Sequence, residues 1–137
     1  MILFIDDEDL RTLRWRELLA ELLPLTYASS AAAALQHLGD PVFRASLRLV
    51  VVDLAMHTTG PLTPEETGLG RLTGEALRRR IRAIGWSGPI ILLTNARDDL
   101  TRTRVEHDGD HFVRKAECPP TELKRLAAEL LGIKDPG

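Results

Sequence analysis

Residues 2–9 read ILFIDDED, four large apolar side chains followed directly by four carboxylates. A short, continuous apolar run is typical of a strand that is buried on both faces of a sheet. Adjacent carboxylates repel one another, and beside an apolar strand their charged forms are poorly solvated. Folding alone does not explain an acidic cluster at this place, so we expect a cation to bind where the strand ends.

The remainder of the chain alternates between strand-like and helix-like segments. Four further short apolar segments are predicted as strands: 25–28, 47–52, 90–94 and 111–114. Five segments with apolar residues at helical spacing are predicted as helices: 9–23, 31–38, 74–84, 97–107 and 121–131. This alternation predicts an α/β fold, a doubly wound parallel sheet of five strands with right-handed crossovers and helices on both faces.

Length, composition and charge narrow the class of protein. A chain of 137 residues with 44% hydrophobic and 28% charged residues fits one globular domain. The net charge of −2 means that the chain has no overall excess of positive charge with which to bind nucleic acid. We interpret the basic run 78–82 as a helix face exposed to solvent. A single cysteine, no apolar run long enough for a membrane span and no signal peptide predict a cytoplasmic protein without a membrane partner.

Chemically active side chains follow four of the five predicted strands. Asp6 and Asp7 follow the first strand, Asp53 the third, Thr94 ends the fourth, and Lys115 follows the fifth. In doubly wound sheets a ligand binds at the carboxyl ends of the strands, so these side chains should converge. Carboxylates without a nearby cysteine or histidine favour Mg²⁺. A carboxylate at such a site can also attack phosphorus, with an ammonium and a hydroxyl stabilising the phosphoryl oxygens.

Four segments carry a resemblance to a known family. In chain order they are ILFIDDE (2–8), LVVVDLAM (49–56), IILLTN (90–95) and HFVRKA (111–116). Together they resemble the receiver domain of two-component response regulators, over nearly the whole chain. The resemblance implies a CheY-like (flavodoxin-like) sheet with strand order 2-1-3-4-5, five helices, and a single receiver-like domain covering residues 1–137.

The resemblance also implies a role for each site residue. Asp53 would be the phospho-acceptor. Magnesium would be held by three carboxylates and one backbone carbonyl: those of Asp6, Asp7, Asp53 and Ala55. Thr94 and Lys115 would contact the phosphoryl group, and Phe112 would be an aromatic switch.

The partners implied are a histidine kinase or phosphotransfer protein and an unidentified downstream protein. Because no output domain follows the receiver, we expect a stand-alone regulator that acts in a phosphorelay by protein contact, and a homodimer is compatible with this role. We expect no enzymatic activity beyond Mg²⁺-dependent self-phosphorylation and dephosphorylation.

Three features depart from the family pattern. Ala116 replaces the proline that usually follows the lysine, and Asn95 stands where the family prefers a small residue. The loop 54–72, which includes Gly60 and Pro61, is longer than usual by about a dozen residues, and such long loops tend to be functional or disordered. We predict a trans Lys115–Ala116 bond, because a cis bond before a non-proline residue costs about 2.5–4 kcal/mol.

Other functions remain open from the sequence. The main alternative is a pseudo-receiver, a phosphorylation-independent interaction module whose long loop covers or replaces the site. A haloacid-dehalogenase-type phosphohydrolase needs a second acid two residues after its nucleophile, where this chain has Ala55. His107 and His111 could ligate a metal, but Gly109 interrupts the helix that such a pair needs. Taken alone, a phenylalanine at position 112 is more often a core residue than a switch.

Overall fold

The computed structural model describes residues 1–56, 62–68 and 70–134. Within them the strands are β1 (Ile2–Ile5), β2 (Leu25–Ala28), β3 (Leu49–Val52), β4 (Ile90–Thr94) and β5 (His111–Arg114). The helices are α1 (Asp9–Leu19), α2 (Ala31–Leu38), α3 (Pro41–Ser46), α4 (Pro64–Thr67), α5 (Thr73–Ala83), α6 (Asp99–His107) and α7 (Pro120–Leu131), with a 3₁₀ turn at Lys115–Glu117. No helix among the described residues is both long and apolar enough to cross a bilayer.

The five strands form one parallel sheet in the order β2-β1-β3-β4-β5, which confirms the predicted α/β fold and strand order. The chain passes from β1 outward to β2 and then returns to the other side of β1 to form β3. The order therefore reverses between β1 and β3, and the carboxyl ends of these two neighbours lie side by side.

Two apolar layers cover the sheet. On one face, Leu3 and Val50 pack with apolar side chains of α2, α5 and α6. On the other face, Phe4 and Val51 pack with α1 and α7. Because both faces are covered, β1 and β3 are buried along their whole length, which explains their lack of polar alternation.

The prediction of five helices was wrong, because the described residues contain seven α-helices. The first addition, α3, begins at Pro41: the Asp40 side chain accepts a hydrogen bond from the Val42 amide at 2.9 Å and caps the new helix. The second addition, α4, lies inside the segment predicted as a loop. There the side chains of Thr63 and Glu66 form a reciprocal capping box around Pro64.

Residues 54–72, hereafter the insertion, are fastened at their base. The Met56 amide donates to the Gly70 carbonyl at 3.1 Å, and the Thr73 hydroxyl donates to the Met56 carbonyl at 2.7 Å. Leu62 is buried in the core. Gly60 and Pro61, which were expected in this loop, lie outside the described residues.

Gly74 joins α5 to the end of β3. Its amide donates to the Leu54 carbonyl at 2.9 Å. A Cβ atom built on Gly74 would lie 2.1 Å from the backbone oxygen of Asp53, far inside contact distance. The first turn of α5 can therefore approach Asp53 only because residue 74 is glycine.

The basic run on α5 is not a solvated face throughout, as the sequence had suggested. Arg78 is only 3% exposed and pairs with Glu75 and Asp110, which are also buried, and with the exposed Asp108. The guanidinium of Arg82 binds Asp110 as well. Arg78 can be buried because carboxylates accept hydrogen bonds from its guanidinium group. These contacts connect α5 to the turn that precedes β5.

Candidate functional site

Three carboxylates converge at the carboxyl edge of the sheet. Asp6 and Asp7 follow β1, Asp53 follows β3, and one oxygen atom from each lies within 4.8 Å of the others. Asp6 and Asp53 are 1% and 5% exposed, whereas Asp7 is more open to solvent. Among the described residues this is the one such group of metal-ligating side chains, so His107 and His111 do not form a second one.

Lys115 supplies a positive charge to this acidic group. Its Nζ donates to Oδ2 of Asp6 at 2.8 Å and to Oδ2 of Asp53 at 3.3 Å. The lysine begins the 3₁₀ turn after β5, and the Trp15 indole holds the end of that turn by donating to the Cys118 carbonyl at 3.1 Å. The described residues contain no cis peptide bond, which confirms the predicted trans Lys115–Ala116 bond.

Burial and mutual repulsion shift the pKa values of the acids upward. Desolvation, followed by the charge of Asp53, raises the pKa of Asp6 to about 6, although hydrogen bonds from Lys115 and the Glu8 amide oppose the change. Desolvation also raises the pKa of Asp53. Burial alone would lower the pKa of Lys115, but its hydrogen bonds and charge interactions with Asp6 and Asp53 together raise it. The ammonium is thus held in its charged form.

One oxygen of Asp53 lacks a partner. Oδ1 is buried and accepts no hydrogen bond from any described residue. The Thr94 hydroxyl and the Ala55 amide approach this carboxylate and lower its pKa, but neither completes a hydrogen bond of ordinary geometry to Oδ1. A buried anionic oxygen without a donor is costly, so it is suited to receive a cation or an electrophile.

The donor set fits the magnesium ion implied by the sequence. Three carboxylates, with no cysteine or histidine among them, match the preference of Mg²⁺ for a few oxygen ligands and retained water. Both oxygens of Asp6 are engaged, because Oδ1 accepts from the Glu8 amide at 2.9 Å and Oδ2 from Lys115. The direct ligands would be Asp7 and Asp53, as the resemblance implies. The role of the Ala55 carbonyl stays a prediction.

Thr94 and Phe112 lie where the sequence predicted, while their switching roles stay predictions. Thr94 ends β4, is 1% exposed, and its hydroxyl accepts from the Ala96 amide at 3.1 Å. Phe112 lies in β5 and packs into the core, with the Arg102 guanidinium 5.7 Å from its ring centroid. Asn95 is exposed beside Thr94.

Comparison with known proteins decides the fold. No protein-family model matches the sequence, and no curated protein matches it. A response-regulator receiver domain from Clostridium thermocellum superposes with a TM-score of 0.72 at 21% identity, over 96% of this chain and 93% of that one. The receiver domain of NtrX from Brucella abortus gives 0.70 at 24% identity, over 98% and 100%. The BeF3-activated DrrB receiver domain gives 0.69 at 18% identity, over 96% of each chain. The chain has the fold of a response-regulator receiver domain.

Two residues that the sequence did not single out position the site in this receiver fold. The Tyr27 hydroxyl donates to the backbone carbonyl of Asp6 at 2.6 Å, and the Arg16 guanidinium lies 3.9 Å above the Tyr27 ring. Gly74 brings α5 against Asp53. A tyrosine near the end of β2 was a weak indication, whereas a glycine in the first turn of an amphipathic helix was a clear indication of close packing.

Proposed function

We propose that this receiver accepts a phosphoryl group on Asp53 in a Mg²⁺-dependent reaction and acts on another protein by direct contact. The observation that carries the proposal is the buried, unpartnered Oδ1 of Asp53 beside the Lys115 ammonium. A purely structural carboxylate would have had its second oxygen satisfied by a donor.

The chain's own residues can support the transfer. A carboxylate oxygen of Asp53 forms a bond to phosphorus, and the bond from phosphorus to the donor breaks, with its electron pair leaving on the donor. Bound Mg²⁺ would neutralise phosphoryl oxygens and the surrounding carboxylates. Lys115, already 3.3 Å from Asp53, would balance the charge on the new phosphoryl group, and Thr94 would donate its hydroxyl to it.

The donor would be a histidine kinase or a phosphotransfer protein in the cytoplasm, and the receiver would have no catalytic activity beyond its own phosphorylation and dephosphorylation. A protein target for the phosphorylated form follows from the same proposal. A contact surface is available on the neighbouring helix α6, where Leu100 is 78% exposed.

The direct test is incubation with acetyl phosphate and Mg²⁺, followed by mass spectrometry of the intact protein. We expect one acid-labile phosphoryl group on the wild type, none on Asp53→Asn, and wild-type behaviour for Asp40→Asn, whose acid lies far from the site and whose cap asparagine also satisfies. Phosphate on Asp53→Asn, or none on any protein, would contradict the proposal.

The pseudo-receiver alternative predicts a different response to a phosphoryl mimic. Beryllofluoride with Mg²⁺ should shift the amide resonances of Thr94 and Phe112 together, because filling the phosphate site draws the hydroxyl inward and frees space for the ring. Shifts confined to the loops after β1 and β3, with Phe112 unchanged, would instead favour a module that does not switch.

A further inference from the structure

Residues 115–119, between β5 and α7, carry the site lysine and have little local restraint. Lys115 is buried, but the 3₁₀ turn that it begins has no side-chain cap. The closing hydrogen bond of the turn, from the Cys118 amide to the Lys115 carbonyl, is long at 3.4 Å. The ion pair between Arg114 and Glu117 adds little, because the glutamate side chain is 65% exposed and solvent weakens such pairs. A firm restraint on the lysine backbone must therefore come from another element.

The indole of Trp15 supplies such a restraint from α1. Its Nε1 donates to the Cys118 carbonyl at 3.1 Å, across 103 positions of the sequence. Cys118 is extended, with φ −131° and ψ 91°, as is usual for a residue before a proline. Its carbonyl precedes the first turn of α7, in which the Pro119 carbonyl accepts the first helical hydrogen bonds. Because Cys118 is only 8% exposed, this carbonyl needs a donor, and the tryptophan provides it.

The position of Trp15 in the fold connects the lysine turn to the acids. Trp15 lies in α1, the helix that directly follows the acidic cluster, and its ring packs against the apolar layer that includes Leu19 and Leu123. One helix thus contacts both the loop after β1, which carries Asp6, and the turn that carries Lys115. The 2.8 Å hydrogen bond between the lysine ammonium and Asp6 depends on how these two segments are placed relative to each other.

We propose that Trp15 is a positioning residue that directs the Lys115 ammonium at Asp6 and Asp53 by holding the turn that begins with the lysine. The proposal rests on the proposed phosphorylation of Asp53 and adds a residue to that site. Lysine carries its charge on a flexible four-carbon chain, so a defined ammonium position requires a fixed backbone as well as paired carboxylates. Ala116 does not fix the backbone as a proline ring would, and the indole contact compensates for this freedom.

The first test observes the lysine ammonium and needs neither metal nor phosphate. The chain has three lysines, at positions 115, 124 and 134, so a ¹H–¹⁵N spectrum of the ammonium groups is simple and Lys115→Met assigns the signal. We expect Trp15→Phe to speed the exchange of the Lys115 ammonium protons with water about threefold to tenfold, the effect of one hydrogen bond. The ammonium of Lys124, which pairs with Glu21 between α1 and α7, should not change.

Trp86→Phe is the matched control for Trp15→Phe. Trp86 is half-buried like Trp15, and its Nε1 donates to the Leu47 carbonyl at 3.3 Å, near the amino ends of β3 and β4 and away from the acids. Each substitution removes one hydrogen bond from an indole to a carbonyl and keeps an aromatic ring, so similar denaturation midpoints are expected. Trp86→Phe should leave the exchange of the Lys115 ammonium unchanged. Equal exchange rates in the two variants would overturn the proposal.

A double-mutant cycle tests whether Trp15 acts through the lysine. Isothermal titration with MgCl₂ compares the wild type, Trp15→Phe, Lys115→Met and the double variant. We expect Trp15→Phe to bind Mg²⁺ about twofold to threefold more tightly, because a less constrained ammonium repels the ion less. This effect should vanish in the Lys115→Met background. The same effect in both backgrounds would overturn the proposal, since the tryptophan would then act on the carboxylates by another route.

Phosphorylation separates this proposal from the proposed function. With acetyl phosphate and Mg²⁺, we expect Asp53 to be phosphorylated about threefold to tenfold more slowly in Trp15→Phe than in the wild type, and at the wild-type rate in Trp86→Phe. A wild-type rate in Trp15→Phe would overturn the positioning role. If the wild type is never phosphorylated, the proposed function fails, while the exchange of the ammonium protons still decides whether Trp15 holds Lys115 in place.

Discussion

The Tyr27 hydroxyl donates a 2.6 Å hydrogen bond to the backbone carbonyl of Asp6 and so connects the end of β2 to the acidic end of β1. Arg16 of α1 lies over the tyrosine ring and also binds Asp9, so three elements meet behind this bond. The acids repel one another, and the loop that carries them is held in place by this backbone contact.

We predict that Tyr27→Phe weakens Mg²⁺ binding about threefold to tenfold and lowers the free energy of unfolding by about 1 kcal/mol, because one hydrogen bond to the loop is lost without a change of shape. Tryptophan fluorescence during a Mg²⁺ titration measures the affinity. Thr26→Val is the control, since its hydroxyl contacts the Met1 sulfur away from the site. If Tyr27→Phe bound Mg²⁺ with the affinity of the wild type, the tyrosine would have no role in supporting the metal site.

We predict that Lys115→Met binds Mg²⁺ more tightly than the wild type, by about tenfold, because the ammonium no longer repels the ion. The substitution also frees Oδ2 of Asp6, which Lys115 holds at 2.8 Å. Isothermal titration with MgCl₂ gives the comparison. Weaker binding in Lys115→Met would show that the lysine organises the carboxylates more than it competes with the metal.

We predict that the metal-free protein loses stability as the pH rises from 5 to 7. The folded state raises the pKa of Asp6 from 3.8 to about 6, so it holds this proton more tightly than the unfolded chain. The stabilising contribution is fully present only below the unfolded pKa of 3.8 and is lost as the pH rises through about 6; of a total of about 3 kcal/mol, about 1 kcal/mol is lost between pH 5 and pH 7. The raised pKa of Asp53 acts in the same direction.

Urea unfolding in EDTA at pH 5, 6 and 7 measures this loss. Lys115 does not contribute to the slope, because it is charged in both states throughout this range. Asp6→Asn should flatten the profile, and the histidines, which titrate in the same range, cancel in the comparison of the two proteins. Parallel profiles for wild type and Asp6→Asn would contradict the assignment.

We predict that Gly74→Ala is strongly destabilising, by about 1–3 kcal/mol, because its Cβ would meet the Asp53 carbonyl and force α5 away from β3. Phosphorylation of Asp53 should fall as well, since the acceptor backbone must shift. Gly39→Ala is the matched control, because the atoms nearest to its new Cβ are 3.4 Å or more away. Equal denaturation midpoints for the two variants would refute the steric argument.

The sequence alone was sufficient to predict the sheet and to identify the side chains that converge at its edge. An apolar run such as residues 49–52 that is followed directly by an acid strongly indicates a buried strand with a polar site at its end. Few other structures require apolar residues on both faces of a segment and a carboxylate immediately after it. The placement of Asp6, Asp53 and Lys115 in direct contact follows from parallel strands whose carboxyl ends share one edge.

What the sequence did not predict depends on contacts between distant elements. Arg78 was interpreted as part of a solvated face, because its partner Asp110 lies far along the chain. The hydrogen bond from Tyr27 to Asp6 joins two residues that are distant in the sequence and that only the pairing of strands brings together. In contrast, α4 was predictable: Thr63, Pro64 and Glu66 are a capping box with a proline at the first helical position, and they were treated as loop.

The fastening of the insertion at Met56 and Gly70 makes this chain a candidate scaffold for a biosensor. Since those two residues are already hydrogen-bonded, lengthening the segment between them while Leu62 is kept in the core has an entropic cost of only about 0.6 kcal/mol for each doubling of its length. A dye-labelled or epitope-bearing graft there would lie next to the acceptor loop. Its fluorescence or antibody affinity would then report the proposed phosphorylation of Asp53 in real time.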